Sequence, residues 1–170
     1  RTANIDFITP SRTIIGYPKE FYSNLDHVPT EASKLFEERF PGTNCMVMNS
    51  EESETVKYAA NCFFATKVSF FNEIKLLSDK IGCNFEKIME GVLSDGRIGV
   101  SHYQVPGHDG KMGFGGTCFP KDINSLINIM KDNDISPNVL EAAWQTNIKV
   151  RPEKDWESFS SAVSDSKEPF

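Results

Sequence analysis

The feature that most constrains this chain is the run from Glu51 to Ile81, "EESETVKYAANCFFATKVSFFNEIKLLSDKI", which contains neither glycine nor proline. Strong helix formers dominate it. Val56, Phe63, Phe70 and Leu77 recur at seven, and Ala60, Ile74 and Ile81 keep the same interval with Lys67 as the polar exception. Phe64, Val68 and Phe71 add a second stripe beside the first. Apolar residues at this spacing predict one long helix with more than one greasy face. A single neighbour in a chain of 170 residues cannot cover such a helix. The expectation is a helix buried between elements or in a homodimer, the plainer alternative being an ordinary core helix.

Shorter elements flank it. "TIIG" at 13–16 and Asn44 to Met48 read as strands, and Pro29 to Phe40 between them reads as a helix capped by Thr30. Strand, helix, strand is a βαβ-like fragment, and no G-x-G-x-x-G turn precedes it. A second helix is predicted over Asn84 to Leu93, with Phe85, Ile88, Met89 and Val92 on one face. Residues 95–118 are glycine-rich and read as a long loop, a kind of segment that is usually functional in a compact domain. Helices resume at about 119–132 and 138–149, separated by Pro137. Pro152 marks a boundary, after which Glu153 to Phe159 could add a turn or two. The fold class expected is mainly α with a small α/β portion at the N-terminus, organised as residues 1–50, 51–155 and a polar tail at 156–170.

Charge and cysteine usage narrow the function classes. With 18 basic and 24 acidic side chains the net charge is −6, so nothing invites a nucleic acid backbone. No apolar run approaches the roughly 20 residues a membrane span needs. Cys45, Cys62, Cys83 and Cys118 form no Cys-x-x-Cys pair, which fits neither a zinc site nor a secreted disulfide scaffold. No metal, no membrane and no nucleic acid are expected, and the chain reads as a cytoplasmic protein with reduced thiols. It begins at Arg1 without a methionine, which reads as a piece of something longer.

The chemistry concentrates in "GFGGTCFPKD", Gly113 to Asp122. Proline is tolerated in the first turn of a helix, so Pro120 puts Thr117, Cys118 or Phe119 at the cap. Cys118 then sits where unpaired backbone N–H groups and the helix dipole favour thiolate. Lys121 and Asp122 follow three and four residues on, and Gly115 and Gly116 let backbone approach a bulky substrate. These are the parts of an activated nucleophile, although a cysteine is more often a small buried hydrophobe. Lys57 and Asn61 lie one helical turn apart on a face shared with Phe64 and Val68. They are either a snorkelling lysine beside a solvated amide or, if turned toward Cys118, two donors for an oxyanion.

In this order and at about these spacings, "ETVKYAANCFFATKVSFFNE", "SDGRIG" and "GFGGTCFPKD" resemble the nucleotide-sugar dehydrogenases of the UDP-glucose 6-dehydrogenase and GDP-mannose dehydrogenase type. The resemblance spans roughly residues 5–155. It implies a four-electron, NAD-dependent oxidation of a sugar C6 alcohol to a carboxylate, UDP-glucose being the leading substrate. Cys118 would attack the aldehyde, hydride would leave the thiohemiacetal, and water would hydrolyse the thioester. By the same resemblance Lys57 and Asn61 stabilise the oxyanion, Asp122 assists proton transfer and Lys121 lies near the cofactor. Arg97 would reach across a dimer to the partner's substrate, and Tyr103, Phe114 and Gly115 would touch substrate.

The resemblance also implies that residues 1–50 are the end of a Rossmann-type NAD-binding domain and that the long helix is a dimer helix. The dinucleotide turn, threonine and glutamates of the family's first domain and its C-terminal nucleotide-binding domain are not among these residues. The loop "VSHYQVPGHDGK" is longer than in the commonest members. The isolated chain is therefore expected to bind NAD poorly and not to turn over. Two other readings remain open at this point. One is a non-catalytic helical dimerisation module; the other is a hydrolase or transferase using Cys118 with His102 or His108.

Overall fold

A computed structural model describes residues 9–22 and 31–159 of the chain. Thr30, His27 and the predicted polar tail beyond 159 lie outside the described residues.

Two short parallel strands open the described structure. β1, Arg12–Tyr17, pairs with β2, Asn44–Asn49, in a register that sets Arg12 opposite Asn44 and Tyr17 opposite Asn49. Parallel neighbours require a crossover, and the chain between them carries α1, Lys19–Tyr22, and α2, Glu31–Arg39. Phe36 and Phe40 stack with ring centroids 6.3 Å apart at the end of α2, and Phe40 is buried.

β2 runs directly into α3, Ser50–Ile81. Asn49 makes the stop and the start together: its Oδ1 accepts from the Glu52 amide at 2.8 Å, while its own amide donates to Glu52 Oε2 at 3.0 Å. This reciprocal pair satisfies two of the donors that a helix start leaves without partners. The 32 residues of α3 run unbroken for about 48 Å at 1.5 Å per residue, as the absence of glycine and proline predicts. The chain divides into two compact units, one ending at Lys57 and the other beginning at Tyr58, so the division falls inside α3.

In the second unit α3 is the spine. Along its first half Cys62 and Ala65 pack with Phe114, Ile123, Ile127 and Ala143. Ile123 and Ile127 come from α5, Cys118–Asp132, and Ala143 from α6, Asn138–Val150. Further along, Phe71 packs with Phe85 and Met89 of α4, Phe85–Leu93, and with Val105 of the long loop. Asn84 caps α4 by accepting the Lys87 amide at 2.9 Å. Apolar spacing placed these helices to within a residue or so.

The heptad on α3 behaves differently from a core stripe. Phe63, Phe70, Leu77 and Ile81 are 65, 55, 54 and 61% exposed, and the inward face is built from Cys62, Ala65, Ser69, Phe71, Asn72 and Ser78. Apart from Phe71, the fully buried side chains are small or polar and let neighbouring segments close onto the spine, while Phe63, Phe70, Leu77 and Ile81 are left facing out. Lys67, the polar exception, donates to the carbonyls of Ile98 and Gly99 at 2.9 and 3.0 Å and so fastens the start of the long loop.

The described chain continues past 155 with a 3₁₀ turn, Asp155–Ser158. Trp156 is buried there against Trp144, with ring centroids 5.0 Å apart. A tail beginning at 156 therefore starts too early: its first residue is core.

Candidate active site around Cys118

The glycine-rich approach to α5 is pinned at successive residues. Asn72 Oδ1, on the buried face of α3, accepts the Gly113 amide at 2.9 Å. Asn147, wholly buried on α6, grips Phe114 from both sides: its Oδ1 accepts the amide at 2.7 Å and its Nδ2 donates to the carbonyl at 3.0 Å. Asp155 Oδ2 accepts the Gly116 amide at 3.3 Å. Gly113 has φ +68, and a Cβ there would lie 2.4 Å from Asn147 Oδ1; a Cβ at Gly115 would lie 2.5 Å from Arg151 Nη2 and Asp155. The glycines answer the need for close approach, to the protein's own polar groups.

The segment so held delivers Cys118 to the first position of α5, with Thr117 as the cap residue. Cys118 is exposed, and its Sγ lies 3.9 Å from Thr117 Oγ1. Pro120 falls in the first turn, as its missing N–H allows. Leading backbone N–H groups and the positive dipole end therefore surround an accessible sulfur.

Beneath it lies a polar cluster. Asp122, 1% exposed, receives Asn61 Nδ2 on Oδ2 at 2.6 Å and Lys121 Nζ on Oδ1 at 2.5 Å. The hydrogen bond to Asp122 holds the Lys121 ammonium above its ordinary pKa, and the charges of Asp122, Tyr58 and Cys118 act in the same direction against partial burial. Burial, and then the Asp122 charge, push the Cys62 thiol up to about 11, which makes it an inert core group. The amide of Asn61 is thus turned toward α5. Lys57 stands one turn earlier on α3, with an exposed side chain.

Aromatic rings line the same side. Phe64 stacks on His102 with centroids 4.2 Å apart and planes 14° from parallel, and His102 lies 5.6 Å from Phe119, the residue after Cys118. His102 has φ +58. Burial, then the Lys67 charge, hold its pKa below the usual value.

The structure brings Cys118, Lys121, Asp122 and Asn61 together. Four of the other predicted residues, Arg97, Tyr103, Phe114 and Gly115, are engaged elsewhere. Arg97 is 90% exposed and pairs with its own neighbour Asp95 at 2.5 Å. Tyr103 packs against the Phe71 cluster and lines an open cleft of about 570 Å³ with Phe85, Met89, Leu93, Val105 and Pro106. The Phe114 ring is core, packed edge-on against Phe119, and Gly115 abuts Arg151 and Asp155. Among the described residues no group of three His, Cys, Asp or Glu is placed to hold a metal ion, and no helix is long and apolar enough to cross a membrane.

Sequence pattern did not single out Asn72, Asn147, Arg151, Asp155 or Asp109. The signal available was polarity out of place: an asparagine on the inward stripe of α3, another on α6, and an Arg-x-x-x-Asp pair straddling Pro152.

Comparison with known proteins shows the family. Residues 51–149 match the family model described as the UDP-glucose/GDP-mannose dehydrogenase family, central domain. The chain is 37% identical to the UDP-glucose 6-dehydrogenase of Rickettsia typhi over 86% of its own length and 31% of that protein. It is 41% identical to UDP-glucose 6-dehydrogenase TuaD of Bacillus subtilis over 61% of its length and 21% of that protein. A UDP-glucose dehydrogenase structure from Pyrobaculum islandicum superposes with a TM-score of 0.68 at 31% identity, covering 85% of this chain and 31% of that one. The chain thus spans between about a fifth and a third of the length of these relatives. It belongs to the UDP-glucose/GDP-mannose dehydrogenase family and carries that family's central domain.

Proposed function

We propose that this chain is the thiol-bearing core of an NAD-dependent nucleotide-sugar 6-dehydrogenase acting on UDP-glucose, and that Cys118 is its nucleophile. The observation that carries the reading is the Asn61–Asp122–Lys121 cluster, centred on the buried Asp122, beside an exposed cysteine at the start of α5. The names of the relatives supply the substrate.

The described residues do not form a dinucleotide site. β1 leads to α1 through Pro18 alone, and β2 joins α3 with no residue between. Neither junction offers the glycine-rich turn whose amides cradle a diphosphate. NAD, when bound by other parts of the family's fold, supplies the hydride acceptor. Residues 1–50 are read as the end of that Rossmann-type domain, with residues 51–155 as the dimerisation core.

The chain's own contribution is covalent and electrostatic. Cys118 Sγ adds to the carbonyl carbon of the aldehyde; the C–S bond forms as the carbonyl π pair moves onto oxygen. Lys57 and Asn61 are the donors for that oxyanion, Asn61 holding one amide N–H on Asp122 and offering the other. The Asp122 carboxylate orients Asn61 and Lys121 and assists proton transfer when water hydrolyses the thioester. Lys121 sits on the cofactor side. Arg97, standing out from the surface, reaches the partner subunit's substrate, while Tyr103, Phe114 and Gly115 shape the substrate side through the loop. The exposed stripe of α3 is covered in a homodimer, and the protein works in the reducing cytoplasm.

Alkylation tests the reading. Cys118 should react with iodoacetamide faster than Cys45, Cys62 and Cys83, and equal sluggishness of all four would sink it. The isolated chain should not oxidise UDP-glucose with NAD. Mixing it with a separately made dinucleotide-binding domain should restore activity, and failure of that rescue beside a fully folded mixture favours a non-catalytic dimerisation module. Replacing His102 and His108 together should leave Cys118 reactivity largely intact, unlike in a cysteine–histidine hydrolase.

A further inference from the structure

We propose that Arg151 is a positioning residue for Cys118, acting through Asp155 and the glycine run to fix where α5 begins. This rests on the reading of Cys118 as nucleophile. Arg151 is 2% exposed at the end of α6. Four of its five N–H donors are used: Nε to Asp155 Oδ1 at 2.6 Å, Nη2 to Asp155 Oδ2 at 3.0 Å, Nη2 to Asp109 Oδ2 at 2.7 Å and Nη1 to the Met112 carbonyl at 3.3 Å.

The groups it holds bracket the loop before Cys118. Asp109 and Met112 lie just upstream of Gly113, and Asp155 Oδ2 takes the Gly116 amide two residues before the sulfur. Gly115 lies so close that a Cβ would come within 2.5 Å of both members of the pair. Backbone on this path has no room to shift while the pair is intact. A second charged link, Lys111 to Glu153 at 3.2 Å, crosses the same gap at the surface. The charges facing Arg151 are thus Asp109, Asp155 and Glu153, with Lys111 beyond. A fork-shaped cation suits this place because one planar group can serve two carboxylates and a carbonyl at fixed angles, which an ammonium cannot do.

A strut that merely stabilised the fold would raise the unfolding midpoint without touching the thiol. A positioning residue changes the thiol as well. The test uses the whole chain with Arg151→Gln and Arg151→Lys, iodoacetamide as probe, and peptide mass mapping of Cys118 against Cys83, an exposed cysteine just after α3. The Cys118-to-Cys83 rate ratio should fall at least about threefold in Arg151→Gln, because a misplaced reacting group loses rate steeply. Arg151→Lys, which keeps the charge and loses the fork, should fall between Arg151→Gln and wild type.

A ratio unchanged or raised in Arg151→Gln, whatever happens to the unfolding midpoint, overturns the proposal. Should Arg151→Gln fail to fold by circular dichroism, Asp155→Asn is scored by the same ratio, since it weakens the link through which Arg151 reaches the Gly116 amide. If wild-type Cys118 itself reacts no faster than Cys83, the nucleophile reading falls, and this inference with it. If wild-type Cys118 is fast and the variants match it, only the positioning role falls.

Discussion

Asn61 on α3 and Asp122 on α5 meet at 2.6 Å, amide to carboxylate, 61 residues apart in the chain. The bond joins the two helices beside Cys118. Asn61→Leu keeps the volume and removes the donor from a carboxylate that is 1% exposed. Losing a hydrogen bond to a buried charged group should cost about 1–3 kcal/mol. Urea denaturation should show a lower midpoint with unchanged slope. A midpoint equal to wild type would mean that Asp122 is held well enough by its other partners.

Gly113→Ala should be worse than its size implies. The residue sits at φ +68, and the added Cβ would come 2.4 Å from Asn147 Oδ1 and 3.1 Å from Val150 Cγ2. A left-handed backbone and overpacking against a wholly buried side chain together should cost about 2–4 kcal/mol. The clash falls on the amide that grips Phe114, so thermal unfolding and Cys118 alkylation should change together. Gly110→Ala is the control: φ is +75, with nothing within 4 Å of the new atom, so only the backbone penalty applies. Equal losses at the two sites would refute the packing argument.

Most of the fold was legible because helix signals here are local. Residues 51–81 lack helix breakers and ran as one helix; Pro120 fixed the start of α5 to within a residue. The exposure of the Phe63, Phe70 and Leu77 stripe was not legible, because periodicity marks a face as apolar without saying what covers it. The core of the site was half legible. Cys118, Lys121 and Asp122 are neighbours in sequence, and Asn61 stood out as an amide on an apolar face. Asn72, Asn147 and the Arg151 network were hidden because a buried polar side chain is recognised by its partner, and apart from the Arg151–Asp155 pair these partners lie in the glycine loop, more than thirty residues away. Pro152 also reads as an ending, and the chain instead turns there to bury Trp156.

Acid should loosen the loop through two carboxylates. The Arg151 hydrogen bond lowers the Asp155 pKa against partial burial, with the Gly116 amide and the Arg151 charge adding to it. For Asp109, burial raises the pKa, and the Arg151 hydrogen bond, the Lys111 amide and the Arg151 charge bring it below its ordinary value. A carboxyl depressed in the folded state contributes stability above its unfolded pKa, about 3.9, and loses it as pH falls through the folded value. Stability should therefore drop below about pH 4. Asp109→Asn should flatten that limb and lower the plateau at neutral pH, as read from unfolding midpoints at a series of pH values. An unchanged acid limb would place the responsible carboxylates elsewhere.

The outward stripe of α3 makes the last prediction. Phe63, Phe70, Leu77 and Ile81 lie along one helix at intervals of seven and four, each more than half exposed, and Leu76 beside them is 40% exposed. A contiguous apolar strip of this length on a charged chain marks an interaction surface. A second copy fits it by symmetry, since two such helices crossing place the same strip on both sides of a two-fold axis. Sedimentation equilibrium should give about twice the chain mass of 19.1 kDa. Phe70→Glu, at the middle of the strip, would set two carboxylates near the axis and return the mass to that of a monomer, with the circular dichroism of the helices retained. Ile135→Glu, an exposed apolar position beyond α5 and off this strip, should leave the dimer intact. If both variants dissociate it equally, the contact is not through α3; if wild type is a monomer at every concentration, the strip is covered by something other than a copy of itself.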